Sequence, residues 1–179
     1  MSVFEHSFTL IGLILGLALV EVLSAFVRTI RLRHKRPLGV LTPLLAVFVI
    51  IDVTGFWGIL WDDREFLQAI WPTLGLGVIL SSIYYAAAAM VFPDRDDEWS
   101  DLDSYYMKHK TAVLGLMFLS FAVLVGIEFA MGQQFGVAGM VQNSLYLGLL
   151  AIAALAPWRA VNIAALLGLI ALDTWVLFG

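Results

Sequence analysis

The chain has 179 residues, of which 61% are hydrophobic and only 13% are charged, and its mean hydropathy is +0.94. This composition excludes an ordinary soluble domain and predicts a protein that crosses a lipid bilayer several times. The net charge of −4 excludes little, but the lack of cysteine excludes disulfides, thiolate metal sites and thiol redox chemistry.

Continuous apolar segments of about twenty residues fill most of the sequence. A helix needs this length to cross a hydrocarbon core of about 30 Å, whereas the strands of a membrane β-barrel would alternate apolar and polar residues. We therefore predict an all-α fold, a polytopic transmembrane helix bundle that forms one unit over residues 1–179. The six predicted spans are, in chain order, 8–28, 39–61, 69–92, 111–131, 135–156 and 158–178.

A basic run, RTIRLRHKR, follows the first span. Basic residues collect on the cytoplasmic side of membrane proteins, and with the N-terminus outside nine of the ten Lys and Arg residues fall in cytoplasmic segments. We therefore predict that both termini face outside. Residues of this run are also candidates for contact with anionic lipid headgroups, namely Arg31, Arg33, Lys35 and Arg36.

Small residues in three spans predict close helix packing, because they let neighbouring backbones approach. In the fifth span Asn143 shares a stripe with two glycines, and this stripe is expected to face protein because an amide in lipid would lack a partner. The candidate packing glycines are Gly12 and Gly16 in span one, Gly55 in span two, and Gly136 and Gly139 in span five.

The longest segment between spans is 93–110, PDRDDEWSDLDSYYMKHK. It is predicted to lie at the cytoplasmic interface. Ser100 followed by Asp103 has the pattern of a helix N-cap with an acid at the third helical position. The sequence therefore predicts a helix that begins at this point and continues into the fourth span.

Acidic side chains within the spans are costly in hydrocarbon and are candidates for function. At about 1.5 Å per residue, Asp52 lies roughly one turn outward of the bilayer centre, Glu21 lies slightly inward, and Asn143 lies near the depth of Asp52. The alternative is structural, with hydrogen-bonded or protonated side chains, or with side chains that reach interfacial water. The candidate residues of an ion site or proton pathway are Asp52, Glu21, Asn143, Glu128 and Asp173.

The residues that several classes of functional site require are missing from this sequence or from its predicted spans. All three histidines lie at span ends and no lysine falls within a predicted span, which argues against haem, pigment or retinal-type sites. There is no potassium-channel filter, HExxH or Walker motif. We expect a protein that is not an enzyme and has no cofactor, metal site or nucleic-acid partner, although carboxylate chemistry stays open.

Three stretches carry a family resemblance. EVLSAFVRTIRLRHKRP, DVTGFWGILWDDR and VFPDRDDEWSDLDSYYMKHK, in this order, resemble a group of bacterial six-span membrane proteins with no assigned activity. The likeness covers about the first two thirds of the chain. It implies a location in the bacterial cytoplasmic membrane and transfers no function.

Two functional hypotheses follow from these observations. In the first, the intramembrane carboxylates translocate a proton or a small cation. In the second, the chain is a non-catalytic accessory or assembly subunit of a larger membrane complex, whose small-residue faces bind other helices. Membrane lipids are expected partners in both, with association into a homo-oligomer or a larger membrane complex.

Overall fold

All regular elements in the part of the chain that the computed structural model describes are α-helices, as the composition predicts. The described residues are 3–31, 34, 37–62, 71–94, 101–130, 132 and 135–178. The helices, which overlie the predicted spans, are α1 (Val3–Arg31), α2 (Leu41–Asp62), α3 (Trp71–Ala89), α4 (Leu102–Ala130), α5 (Val137–Leu155) and α6 (Arg159–Phe178).

The helices are apolar on the faces that they turn away from the bundle. Five of them are long and apolar enough to cross a membrane, and Gly75–Ala89 of α3 forms a shorter apolar helix. Large side chains such as Leu13, Val20, Met140 and Leu155 are exposed. An apolar surface of this extent requires lipid around it, because water would drive such faces to associate. The protein is therefore an integral membrane protein.

Helix α2 lies centrally and packs against α1, α3, α4 and α6. Around it, α1 packs on α3, α3 on α4, α4 on α5, and α5 on α6. The carboxyl ends of α1, α3 and α5 lie at the same end of the bundle as the amino ends of α2, α4 and α6. We name this the basic end, because it carries Arg28, Arg31, Lys110 and Arg159; Arg33, Lys35 and Arg36 lie outside the described residues.

Helix α4 begins at Leu102, and Asp101 caps it. Asp101 Oδ1 accepts a hydrogen bond from the backbone N–H of Ser104 at 2.8 Å, and Oδ2 accepts one from the Ser104 hydroxyl at 2.7 Å. The predicted cap, Ser100, lies outside the described residues, and the capping side chain is the next one along, because a carboxylate can accept from both donors of Ser104 at once. These hydrogen bonds from Ser104 lower the pKa of Asp101 below its ordinary value.

Helix α2 is capped by a residue of another helix. Val40 precedes α2 and has no side-chain acceptor, so the first N–H groups of the helix need an external partner. Asp103 Oδ1 accepts from the N–H groups of Val40 and Leu41, each at 2.9 Å, and Asp103 Oδ2 pairs with Arg159. Gly39 has a φ of +63°, and a Cβ there would collide with the same carboxylate. Only glycine suits this turn.

The predicted packing glycines differ from one another in the structure. A Cβ on Gly12 would lie 3.3 Å from Trp57 Nε1 of α2, so this glycine does lie at a helix contact. Gly16 has no such contact within 4 Å and borders an open groove between α1 and α2. Gly55 likewise has no contact within 4 Å. Close approach of α1 and α2 therefore occurs at one glycine of the GxxxG pair.

Gly136 and Gly139 have no close contact with another helix among the described residues, so their role in packing stays a prediction. Gly136 is exposed, and a Cβ on it would have no neighbouring atom within 4 Å, while a Cβ on Gly139 would meet only Phe135, which is close to it in the sequence. The close approaches lie at two other glycines, Gly77 against Ile11 and Gly168 against Leu149.

Candidate functional site

Asp52 lies in the middle of α2 and is only 7% exposed. Its two carboxylate oxygens have different surroundings. Oδ1 accepts a hydrogen bond from the hydroxyl of Tyr146 on α5. Oδ2 is buried and has no hydrogen-bond partner, although the Tyr84 side chain on α3 lies near the carboxylate. One oxygen of this carboxylate is therefore held by a hydrogen bond, and the other has no hydrogen bond of good geometry although the Tyr84 side chain interacts with the carboxylate.

Asp173 of α6 is the second unsatisfied acid. Its Oδ2 is also buried without a hydrogen-bond partner, and its carboxylate lies close enough to Asp52 to interact with it electrostatically. Two neighbouring carboxylates in surroundings of low polarity repel each other when both are ionised. A proton or a cation bound between them would relieve this repulsion.

Both acids line one cavity of about 90 Å³, which we name the aspartate cavity. A single water molecule needs roughly 10–15 Å³ on this measure, so the space is several times larger than one water. Five helices supply its walls. The lining residues are Asp52, Gly55, Phe56 and Ile59 of α2, Tyr84 of α3, Phe121 of α4, Gln142, Asn143 and Tyr146 of α5, and Leu172, Asp173 and Val176 of α6.

The charged residues that line the aspartate cavity are all acidic. None of its lining residues is Lys, Arg or His, so no basic side chain among them balances the two carboxylates. A buried carboxylate without a partner is unfavourable by several kcal/mol. The polar groups available for a ligand are carboxylate oxygens, the amides of Gln142 and Asn143, and two phenol hydroxyls, a set that suits a proton or a cation and disfavours an anion.

The structure brings together three of the five predicted site residues, Asp52, Asn143 and Asp173, at this cavity. Glu21 and Glu128 are not part of its lining. Glu21 lies on α1, which supplies no wall residue, and Glu128 lies two turns beyond Phe121 on α4. The roles predicted for these two glutamates stay predictions.

Sequence reasoning missed the tyrosine partners of Asp52. Tyr84 and Tyr146 come from helices that are distant in sequence from α2, so no spacing within α2 could indicate them. The available signal was the position of Tyr146 three residues after Asn143, on the same helical face. A polar stripe that ends in a tyrosine is compatible with a partner for a buried acid.

A second buried polar group, which was also not predicted from the sequence, lies at the basic end. Lys110 of α4 is only 4% exposed, and its Nζ donates to Ala153 O at 3.0 Å, to Asn162 Oδ1 at 2.9 Å and to Ala156 O. The acceptors Ala153 O and Ala156 O belong to the carboxyl end of α5, where unsatisfied carbonyls carry negative partial charge. The lysine therefore caps α5 from another helix.

Asn162 of α6 completes what we name the lysine cluster, made of Tyr106, Lys110 and Asn162. Asn162 Oδ1 also accepts from the hydroxyl of Tyr106 at 2.8 Å, and Nδ2 donates to Ala156 O and Trp158 O, each at 2.8 Å. All three N–H donors of the ammonium and both donors of the amide thus have acceptors. Because its donors are all hydrogen-bonded, the lysine cluster stabilises the packing of α4, α5 and α6 and has no free donor for a ligand.

Buried apolar side chains separate the aspartate cavity from the lysine cluster. From Tyr146 to Ala153 of α5 the distance along the helix axis is about 10 Å, at roughly 1.5 Å per residue. The side chains that fill this interval are less than 2% exposed. We name as the apolar layer Phe48 of α2, Leu114 and Met117 of α4, Leu150 of α5, and Leu166 and Leu169 of α6.

Comparisons with known proteins leave the site to be interpreted from its own geometry: no family model, no curated protein and no solved structure matches this chain.

Proposed function

We propose that this membrane protein translocates protons or small cations, with Asp52 and Asp173 as the binding site. The observation that carries the proposal is that Asp52 and Asp173, which each have one buried carboxylate oxygen without a hydrogen-bond partner, line the same cavity. Intramembrane acids are rare because they are costly, and they commonly mark ion or substrate pathways.

The position of the aspartate cavity supports a gated pathway. The cavity lies in the half of the bundle away from the basic end, and the apolar layer blocks direct passage from it towards that end. A hydrophobic constriction conducts only when it opens enough to be wetted. Transport would therefore require a movement of α2, α4, α5 or α6 that hydrates this layer.

The topology is part of the proposal. With six spans and both termini outside, as the distribution of basic residues favours, the basic end is cytoplasmic. The aspartate cavity then lies in the outer half of the membrane, which we take to be the bacterial cytoplasmic membrane. A proton or cation from the outside would reach Asp173 and Asp52 before it met the apolar layer.

The experiment is a flux assay on the purified protein in liposomes, with a pH-sensitive dye inside and an imposed potassium diffusion potential. Asp52→Asn keeps the size of the side chain but removes its charge and its exchangeable acidic proton. We expect Asp52→Asn and Asp173→Asn each to lower proton or cation flux at least tenfold. Asp101→Asn, which changes an acid outside the cavity, should retain the flux of the wild type.

Wild-type liposomes that carry no flux of protons, sodium, potassium or tetramethylammonium under any gradient would contradict the proposal. The accessory or assembly role would then be the better account, and the unpaired acids would await a partner subunit. Equal flux in wild type and Asp52→Asn would also contradict it, because the proposed site would then not be on the pathway.

A further inference from the structure

Four of the twelve residues that line the aspartate cavity are aromatic. Phe56 and Tyr84 pack together with ring centroids 4.7 Å apart, and Phe121 and Tyr146 pack together at 4.4 Å. All four residues line the cavity, and they come from four different helices. Two carboxylates thus share one cavity with two aromatic pairs, a combination that simple proton binding does not require.

We propose that the aspartate cavity binds a small organic ammonium ion, whose charge is balanced by Asp52 and Asp173 and whose alkyl groups contact the aromatic side chains. This inference rests on the proposed function, because it names the class of cation that the translocation site accepts. The ligand is defined by its chemistry: a compact monovalent cation with an apolar surface.

The carboxylates explain the charge of the ligand. Asp52 is more than nine-tenths buried and is one of the residues that line the cavity, and its Oδ2 has no hydrogen-bond partner. Asp173 contributes a second unpartnered oxygen to the same space. A monovalent cation placed between them would offset one of the two negative charges, and a proton held by one of the carboxyl groups would offset the other. Such a cation needs no hydrogen-bond donors of its own, so even a fully alkylated ammonium would suit the site.

The aromatic rings are the reason to expect a ligand with an apolar surface. The face of an aromatic ring attracts a cation within about 6 Å, and quaternary ammonium ligands are commonly recognised in this way. Methyl or ethyl groups also gain from leaving water for an apolar wall. A hydrated inorganic ion has no apolar groups and would gain neither contribution.

The size and the ligand set of the cavity argue against a bound metal ion. A space several times larger than one water would leave a bare ion short of contacts, since Ca²⁺ requires six to eight oxygens at about 2.3–2.6 Å. Among the described residues, no group of three or more His, Cys, Asp or Glu side chains could hold a metal ion. An alkylammonium ion fills such a space better.

The test uses tetramethylammonium chloride as the probe and sodium chloride as the comparison, at equal ionic strength. Isothermal titration calorimetry of the full-length protein in detergent should give saturable binding of tetramethylammonium with about one site per chain. The midpoint temperature of thermal unfolding should rise more with tetramethylammonium than with sodium, because a ligand that binds only the folded state stabilises it.

Matched variants separate the aromatic contribution from general damage to the fold. Phe121→Leu removes the π face but keeps an apolar side chain, and should weaken tetramethylammonium binding about fivefold to tenfold. Phe121→Tyr keeps the π face and should retain the affinity. Phe118→Leu changes an exposed phenylalanine of the same helix outside the cavity and should bind as the wild type does. Asp173→Asn should weaken binding at least tenfold.

Three outcomes would overturn the inference: no saturable binding of tetramethylammonium, an equal or larger stabilisation by sodium, or unchanged affinity in a folded Phe121→Leu. If Phe121→Leu does not fold, Phe56→Leu provides the same test from α2. Proton flux without tetramethylammonium binding overturns this inference and leaves the proposed function intact. Tetramethylammonium binding in a protein without flux supports the binding site and overturns translocation.

Discussion

The lysine cluster and the aspartate cavity are two buried polar regions of one bundle, and they differ in how completely their polar groups are satisfied. In the lysine cluster every donor of Lys110 and of the Asn162 amide has an acceptor. In the aspartate cavity Asp52 and Asp173 each keep one buried oxygen without a partner. The first arrangement holds helices together, and the second leaves capacity for a ligand.

The comparison shows how a charged side chain that stabilises the fold of a membrane protein differs from one that we propose to bind a ligand. A charge that serves the fold is placed where the backbone already has unmet polar groups, as Lys110 is at the carboxyl end of α5. A charge that serves binding, as we propose for Asp52, lies in mid-helix, where the backbone has no unmet polar groups. The hydrogen bonds that a charged side chain makes therefore indicate its role better than its presence in a membrane span does.

The largest expected effect is on the lysine cluster. Lys110→Met should lower the free energy of unfolding by roughly 3 kcal/mol, because it leaves buried acceptors of α5 and α6 without their donor. Thermal unfolding in detergent, followed by circular dichroism, measures this loss. Lys108→Met, which changes an exposed lysine of the same helix, is the control. A loss below about 1 kcal/mol for Lys110→Met would show that the cluster does not hold these helices.

A smaller loss is expected at the other polar contact of the basic end. Asp103→Ala should lower the free energy of unfolding by about 2 kcal/mol, since Val40 and Leu41 lose their acceptor and Arg159 loses its partner. Asp103→Asn keeps one carbonyl acceptor and should lose less in the same unfolding measurement. Equal losses in the two variants would mean that the charge, and not the capping of α2, stabilises this end.

The smallest effect has the opposite sign and concerns the aspartate cavity. Asp173→Leu should raise the free energy of unfolding by about 1 kcal/mol, because it replaces a buried oxygen without a partner by an apolar side chain. The same variant should lose flux in liposomes. A clear destabilisation would place Asp173 among the structural residues, and the contrast between the two regions would then rest on Asp52 alone.

Much of the fold could be predicted from local sequence properties. The apolar segments placed six helices close to those observed, because a bilayer imposes helix length and apolar composition on each segment separately. The intramembrane acids could also be identified in this way, since an acid stands out against an apolar background. The positions of Asp52, Asn143 and Asp173 at similar or neighbouring depths followed from the helical rise alone.

The tertiary structure decided which of these residues meet. Depth along a helix can be read from residue number, but the direction that a side chain faces depends on how the helices are arranged around one another. That arrangement brought Asp173 and Tyr146 to Asp52 and left Glu21 and Glu128 outside the cavity lining. It also turned Lys110 into a cap for α5, a role that no spacing in its own helix could predict, because the carbonyls that it satisfies lie more than forty residues away.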